Sequence, residues 1–219
     1  ARNFQEEVYG TSFSHNHNIS ISDGNEDIKY LLSAGYVDDG GMKINSGYSR
    51  ANASIKFDQK MGKKLTLSFD TRYTHALYKG SENVSNGTGS LLSSSYMFRP
   101  IATSDVLGEL NDQVNTALGI YDNVLQDLYN PVSQLNDQSR DDKRRSLFSN
   151  LSLSWNILKG LTLRSEIGLN NYWNKVNTWQ GAVVKQYLKT DGSKTFAGDA
   201  RIRSTEGWNL RWANTLLYE

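Results

Sequence analysis

A few residues have types and spacings that could do chemistry. His15 and His17 stand two apart in an alternating stretch, so both imidazoles fall on one strand face, a spacing that can bind a metal. No third ligand is placed by the sequence, and the competing reading is a pair of histidines at a rim or lipid interface. Asp38-Asp39-Gly40-Gly41 offers carboxylates to calcium but lacks the spaced oxygen ligands of an EF-hand loop; an Asp/Gly turn accounts for it. Gly87-Thr88-Gly89 has no Gly-Lys-Ser/Thr and no preceding buried strand, which argues against a phosphate loop. Arg140, Lys143, Arg144 and Arg145 cluster where a strand begins and could meet phosphate groups or form a solvated rim. Tyr96, Phe98 and Arg99 are ligand-contact candidates, able to stack on a sugar and hydrogen-bond it; packing within a loop is the alternative. No motif places a carboxylate pair, so a secreted hydrolase is the weakest of three functional classes and the chain is read as a non-enzyme without catalytic residues, metal or cofactor.

The elements that position these residues are alternating strands. From Tyr48 to Lys79, Leu65, Leu67, Phe69, Thr71 and Tyr73 fall on one face and Thr66, Ser68, Asp70, Arg72 and Thr74 on the other. Ala51, Ala53, Ile55 and Phe57 alternate with Asn52, Ser54, Lys56 and Asp58 in the preceding strand. Matching the apolar faces requires an odd loop, 61–63 or 61–65, because a one-residue slip would send the wrong face inward. The unit repeats. Before it lie alternating stretches at 12–23 and 28–37; pairing Asp23 with Ile28 would set Ile21 opposite Tyr30. After it come 144–157 and 161–173, joined by a three-residue loop Leu158-Lys159-Gly160, and a last strand at 207–219. Residues 1–11 show no period. Lys56, Asp58, Asp70, Arg72, Arg164 and Glu166 share the polar face, where structural pairing is the default. Within 80–143, Leu107, Leu110, Val114, Leu118, Tyr121, Leu125 and Leu128 recur at helical spacing, capped by Ser104 and ended by Asn130-Pro131. The excursion 174–206 reads as carrying a hairpin of its own.

The 219 residues suffice for one large β-domain, and the net charge of +1 gives no global field to attract nucleic acid. Cysteine is absent, so there is neither a disulfide framework nor a thiolate metal site. No run of about 18 apolar residues suggests a membrane helix, but membrane β-strands are only half apolar and stay open as a possibility. Connections alternate: short at 24–27, 61–64 and 158–160, long at 38–47, 80–143 and 174–206. Short turns at one end and long loops at the other are the habit of outer-membrane barrels, and strands of about 10–14 residues suit a tilted membrane crossing. Tyr30, Tyr36, Tyr48, Tyr73, Trp155, Trp173 and Trp208 lie near strand ends, as in an interfacial girdle. A soluble antiparallel β-sandwich, such as a carbohydrate-binding module, also alternates; loop asymmetry and strand length favour the barrel.

Several segments resemble the SusC/RagA family of TonB-dependent outer-membrane transporters of Bacteroidetes. They are Asn16-His17-Asn18-Ile19-Ser20-Ile21-Ser22 with Gly24-Asn25, then Lys29-Tyr30, Ser33-Ala34-Gly35-Tyr36, Gly41-Met42, Tyr48-Ser49-Arg50 and Asn52 to Lys64. Phe4-Gln5-Glu6-Glu7-Val8-Tyr9 resembles the preceding segment, with Phe4 where the family usually has Trp, and Phe98-Arg99-Pro100-Ile101 and Asn130-Pro131 resemble further landmarks. The resemblance implies an all-β antiparallel meander that forms part of a transmembrane β-barrel of about 22 strands with long extracellular loops, one partly helical. Residues 1–219 would be roughly barrel strands two to eight, with the plug domain and the rest of the barrel outside this chain. It implies a multi-pass location in the bacterial outer membrane and nutrient import of oligosaccharide (glycan) or oligopeptide into the periplasm. The implied partners are a SusD-like surface lipoprotein, TonB through the N-terminal part, and outer-membrane lipid; nucleic acid is not among them. In that setting Lys143, Arg144 and Arg145 become candidates for lipopolysaccharide contact, and the excursion 80–143 is expected outside the cell, in contact with substrate or lipoprotein.

Overall fold

The computed structural model describes residues 3–81, 95–96, 131–181, 186–188, 194–196 and 198–218. Seven strands follow one another as antiparallel neighbours in chain order: β1 (Ser14–Gly24), β2 (Ile28–Gly40), β3 (Gly47–Met61), β4 (Leu65–Gly80), β5 (Gln138–Leu158), β6 (Leu161–Gln180) and β9 (Asp199–Tyr218). The expected meander without crossovers is present, and the expected separate hairpin in the last excursion is β7 (Gln186–Leu188) with β8 (Lys194–Phe196). No second sheet covers either face of the seven-stranded one among the described residues.

Parity sets the faces throughout. Lys56 lies opposite Asp70, Asp70 opposite Asn150, and Ser152 opposite Glu166, so the polar residues of four strands share one surface. On the other surface Phe57 meets Phe69, Phe69 meets Leu151 and Leu151 meets Ile167. The β3–β4 pairing takes the longer of the two expected registers, with Met61 against Leu65 and Gly62 at a left-handed φ of 68°. In the β5–β6 turn the ladder slips between Asn156 and Leu158 to pair Leu158 with Leu161, and Gly160 takes φ 81°; a bulge next to a left-handed glycine is how a three-residue hairpin loop keeps both strands twisted. The β1–β2 register differs from expectation by two residues: Ile21 lies opposite Leu32 and Asp23 opposite Tyr30. The Asn25 side chain accepts from the backbone N–H of Asp27 (2.9 Å) and Ile28 (2.8 Å), which tightens the turn and lets β1 run to Gly24. A two-residue slip preserves faces, so nothing turns inside out.

The later strands are longer than their apolar alternation indicated. β5 has 21 residues and β6 and β9 have 20 each, or roughly 65 Å of extended chain at about 3.3 Å per residue. Their extra length lies toward the long connections, where Asp141, Lys143, Arg145, Lys175, Asn177, Ser204 and Glu206 replace most of the apolar side chains on the outer surface, Trp179 and Ile202 excepted.

Apart from Ala76 of β4, the buried apolar side chains collect beyond that end of the wall. Two short helices that give no periodic signal, α1 (Phe4–Val8) and α2 (Pro131–Asn136), pack on each other and bury Phe4, Val8, Pro131 and Leu135. Residues 1–11, without a period in the sequence, thus hold a helix, capped by Asn3, whose side chain accepts from the Gln5 N–H. Pro131 stands at the first position of α2, in keeping with the tolerance of proline in a first helical turn. The 104–130 helical pattern lies outside the described residues. The loop 41–46 locks onto this cap: Ile44 N–H donates to the Val8 carbonyl (3.0 Å), Gly10 N–H to the Met42 carbonyl (2.8 Å), and the Asn45 amide to Asn136 Oδ1 (3.0 Å).

Candidate functional site

The inner, polar face of the wall gathers most of the side chains able to bind a solute. Near its middle Lys56, Asp58, Ser68, Asp70, Asn150, Ser152 and Arg164 line a shallow depression. Arg164 forms an ion pair with Glu166 and donates to Ser152 Oγ at 3.2 Å. The six charged residues expected on the polar face all stand there by register, and the Arg164–Glu166 pair bears out structural pairing for those two.

Toward the long connections the same face carries a second cluster. Tyr48 and Tyr78 face each other across β3 and β4 with ring centroids 4.6 Å apart. The Arg144 guanidinium lies 4.7 Å from the Tyr78 centroid and makes two hydrogen bonds to the Asp142 carboxylate, Nε to Oδ1 at 3.1 Å and a terminal nitrogen to Oδ2 at 2.8 Å. Arg140 approaches Asp142 from the other side at 3.9 Å. Asp142 is 4% exposed, and its two arginines supply the compensation that a buried carboxylate requires. A bidentate guanidinium held over a ring is rigid, and the paired tyrosines leave polar edges beside apolar faces. This arrangement can stack on a ring and donate hydrogen bonds to hydroxyl, carbonyl or carboxylate groups.

Several expectations take a different form. Tyr48 points to the inner face, away from the other aromatics expected in a girdle, since Tyr30, Tyr36, Tyr73, Trp155, Trp173 and Trp208 share the outer face. Arg144 stands on the face opposite Lys143 and Arg145, so these three do not form one surface. Asp38 and Asp39 belong to β2 rather than to a turn and point to opposite faces, which prevents them from converging on one cation. His15 and His17 share the outer face with centroids 5.1 Å apart, and His15 Nε2 is 3.7 Å from Asp38 Oδ2. Among the described residues no group of three or more His, Cys, Asp or Glu is arranged to hold a metal ion. Tyr96 is 64% exposed; Phe98, Arg99 and the Gly87-Thr88-Gly89 motif lie outside the described residues. The Tyr48–Tyr78–Arg144–Asp142 cluster was not singled out from sequence. Parity carried its signal, since Arg144 is in step with Ser146, Asn150 and Ser152.

No family model matches the chain. It is 22% identical over 198 residues to TonB-dependent receptor P3 of Formosa agariphila, covering 88% of this chain and 19% of that protein. It is 26% identical over 166 residues to TonB-dependent receptor P39 of the same organism, covering 73% of this chain and 14% of that one. The chain therefore spans less than a fifth of the length of these relatives. Its fold superposes on part of a chain of the RagAB peptide importer, with TM-scores of 0.72 in the open-open state and 0.69 in the closed-closed state, at 18% and 15% identity. In both, the match covers 99% of this chain and 23% of the larger one. The superposition shows that the fold is that of part of a large antiparallel barrel wall, and both sequence relatives are TonB-dependent receptors.

Proposed function

We propose that these strands form part of the wall of an outer-membrane, TonB-dependent transporter, roughly the second to eighth strands of a large closed barrel around a plug. One observation carries the reading: a single-layered sheet leaves its apolar face uncovered. Trp208, Trp212 and Ile202 are about 70% exposed, beside Ile19, Leu210 and Leu216. Water does not tolerate such a surface on a finished protein, and lipid does. The stretch Leu147–Trp155, aligned with Leu65–Tyr73, is apolar at its outward positions except for Ser149 and Thr71 and is about nine residues long, the span of a tilted membrane strand. A β-sandwich has less support, because it needs a second sheet over these residues.

In this reading the short turns face the periplasm, and the cap and long excursions stand outside the cell. The cargo is an oligosaccharide or oligopeptide, a SusD-like surface lipoprotein covers the outer mouth, and TonB engages a segment outside this chain. The wall guides and contacts cargo without catalysing a reaction. The tyrosine–arginine cluster lies toward the mouth and is the first inner surface that the cargo meets, with Tyr96, Phe98 and Arg99 nearby in the chain.

Two experiments on the complete transporter test this. Single cysteines at Leu67 and Ser68 should differ in lipid: Leu67→Cys shielded from a water-soluble maleimide, Ser68→Cys reactive. Equal labelling would reject the membrane wall. Replacing 97–129 by a short Gly/Ser linker keeps the cap residues 131–137 and should preserve barrel assembly while lowering uptake of labelled oligosaccharides or oligopeptides and co-purification of the lipoprotein. Wild-type levels of both would remove the excursion from the transport mechanism.

A further inference from the structure

Immediately above the apolar band, the outer surface carries a patch of cations that register alone brings together. Arg145 is the next outward residue on β5 beyond Leu147, and Lys143 follows it. Lys143 lies directly opposite Lys175 of β6, while Arg145 lies opposite Trp173 and, on the β4 side, His75. Directly opposed side chains sit about 5 Å apart at Cβ and diagonal ones about 7–8 Å, so all three cations can reach one small anion.

None of the three has an ion-pair partner among the described residues. Two outward acids stand near them, Asp141 opposite Lys79 and Glu206, which accepts from the Trp173 indole N–H at 2.8 Å, and neither makes an ion pair with the three cations. A like-charge pair directly across two strands is destabilising. A multivalent anion between them would relieve that repulsion, and the height of the pair on the wall favours one kind. Leu77 and Trp173 flank the cations, and Leu147, Tyr73 and Trp208 lie just below. An anion held there has hydrocarbon beneath it. Free phosphate has no use for that apolar floor, whereas the phosphorylated headgroup of an acylated lipid fills both parts.

We propose that Lys143, Arg145 and Lys175 form an outward-facing site for the phosphate-bearing headgroup of an anionic lipid in the leaflet bordering the long connections. The site rests on reading the wall as membrane-spanning. It drops Arg144, which points inward, and gains Lys175. Its chemistry is charge-assisted hydrogen bonding from two ammonium groups and one guanidinium to phosphate oxygens, with the acyl chains lying along the apolar band.

The test uses the complete transporter purified in a non-ionic detergent and probed by native mass spectrometry with phosphorylated lipid A, the same lipid with its phosphates removed, and inorganic pyrophosphate as competitor. Wild-type protein should retain phosphorylated lipid A at least about tenfold better than the dephosphorylated form. The preference should vanish in K143Q/R145Q/K175Q. It should persist in R201Q/R203Q/R211Q, which removes the same charge from the inner face of β9. Equal retention of the two lipids, an unchanged preference in the outward triple variant, or full displacement by pyrophosphate at concentrations comparable to the lipid would each overturn the site. Heat-dependent gel mobility, recorded alongside, separates this from the larger reading. A detergent-requiring, heat-modifiable barrel without lipid preference sinks only the headgroup site. A protein that stays monodisperse without detergent sinks the membrane wall as well.

Discussion

The cap and the wall follow opposite rules. In the cap, Phe4, Val8 and Leu135 are at most 3% exposed, and the loop 41–46 is tied to α1 by its backbone and to α2 by the Asn45 side chain. It is a small apolar core built from two helices too short to hold themselves. In the wall the largest apolar side chains are among the most exposed, and the residues near burial are polar ones such as Ser152 and Thr178 on the inner face. Each strand is held by its neighbours' backbone ladders, with no layer behind it among the described residues. On the proposed reading the cap meets water and the wall meets lipid, a solvent that offers the backbone no hydrogen bonds and charges nothing for leucine.

The most drastic way to break that contrast is to take the membrane away. Expressed by itself, the chain presents an uncovered apolar face and the two edge strands β1 and β9. It should aggregate in plain buffer and stay dispersed only with detergent. A monodisperse monomer with a cooperative melt in buffer would show that the wall has a water-compatible core after all.

Next in size is a lesion confined to the cap. Leu135→Ala removes a side chain 1% exposed and should cost the cap about 2–5 kcal/mol. In the complete transporter on intact cells, protease should then cut 41–46 and 131–137 faster, while the heat-modifiable mobility of the barrel keeps its wild-type midpoint. A barrel that loosens together with the cap would mean that the two regions fold as one unit.

A comparable lesion in the wall must depend on face. Leu67→Arg places a charge on the apolar side and should cost about 2–4 kcal/mol if the residue lies near the bilayer midplane. Its neighbour Ser68→Arg adds the same side chain to the inner face beside Asp58 and should cost far less. Thermal midpoints of the mobility shift measure both. Equal losses would reject the assignment of faces.

How much of this was legible in the sequence follows the same division. Alternation revealed the wall, because a period of two is read one residue at a time and survives even a register error: Ile21 met Leu32 instead of Tyr30 and still faced the same way. Strand ends were misjudged where the outer surface turns polar, at 138–143, 174–180 and 199–206. There the strands continue as backbone ladders while the apolar signal stops. Lys175 was lost from view for that reason, and with it the composition of the cationic patch. Tyr48 has the type and strand-end position of a girdle residue, although parity with Asn52 and Ser54 turns it inward. The cap was illegible, since helices of five and six residues complete too few turns to show a period, and their stability comes from partners distant in sequence.

The smallest effect sharpens the contrast by pH. Lys43 sits in the loop 41–46, on the water side of the molecule, with its ammonium donating to Ser81 Oγ at 2.6 Å. Burial lowers its pKa from the ordinary 10.5, because the charged form gives up part of its hydration there. The folded cap therefore binds fewer protons than the opened one in the interval between the lowered value and 10.5. Stability rises with pH wherever the open state holds more protons. The cost of keeping Lys43 charged is present in full below the lowered pKa and is relieved as pH climbs toward 10.5. The side chain is only partly buried, so solvent screening keeps the effect modest. Cutting within 41–46 by an alkaline protease, corrected for the pH dependence of the enzyme on an unfolded peptide, should slow as pH rises through that interval. Lys43→Met should flatten the dependence, and the mobility midpoint of the wall should not follow it in either protein. A slope that survives in Lys43→Met would assign the proton to another group. A slope of opposite sign would mean that the charged ammonium is favoured in the folded cap, and that its contact with Ser81 outweighs the loss of water.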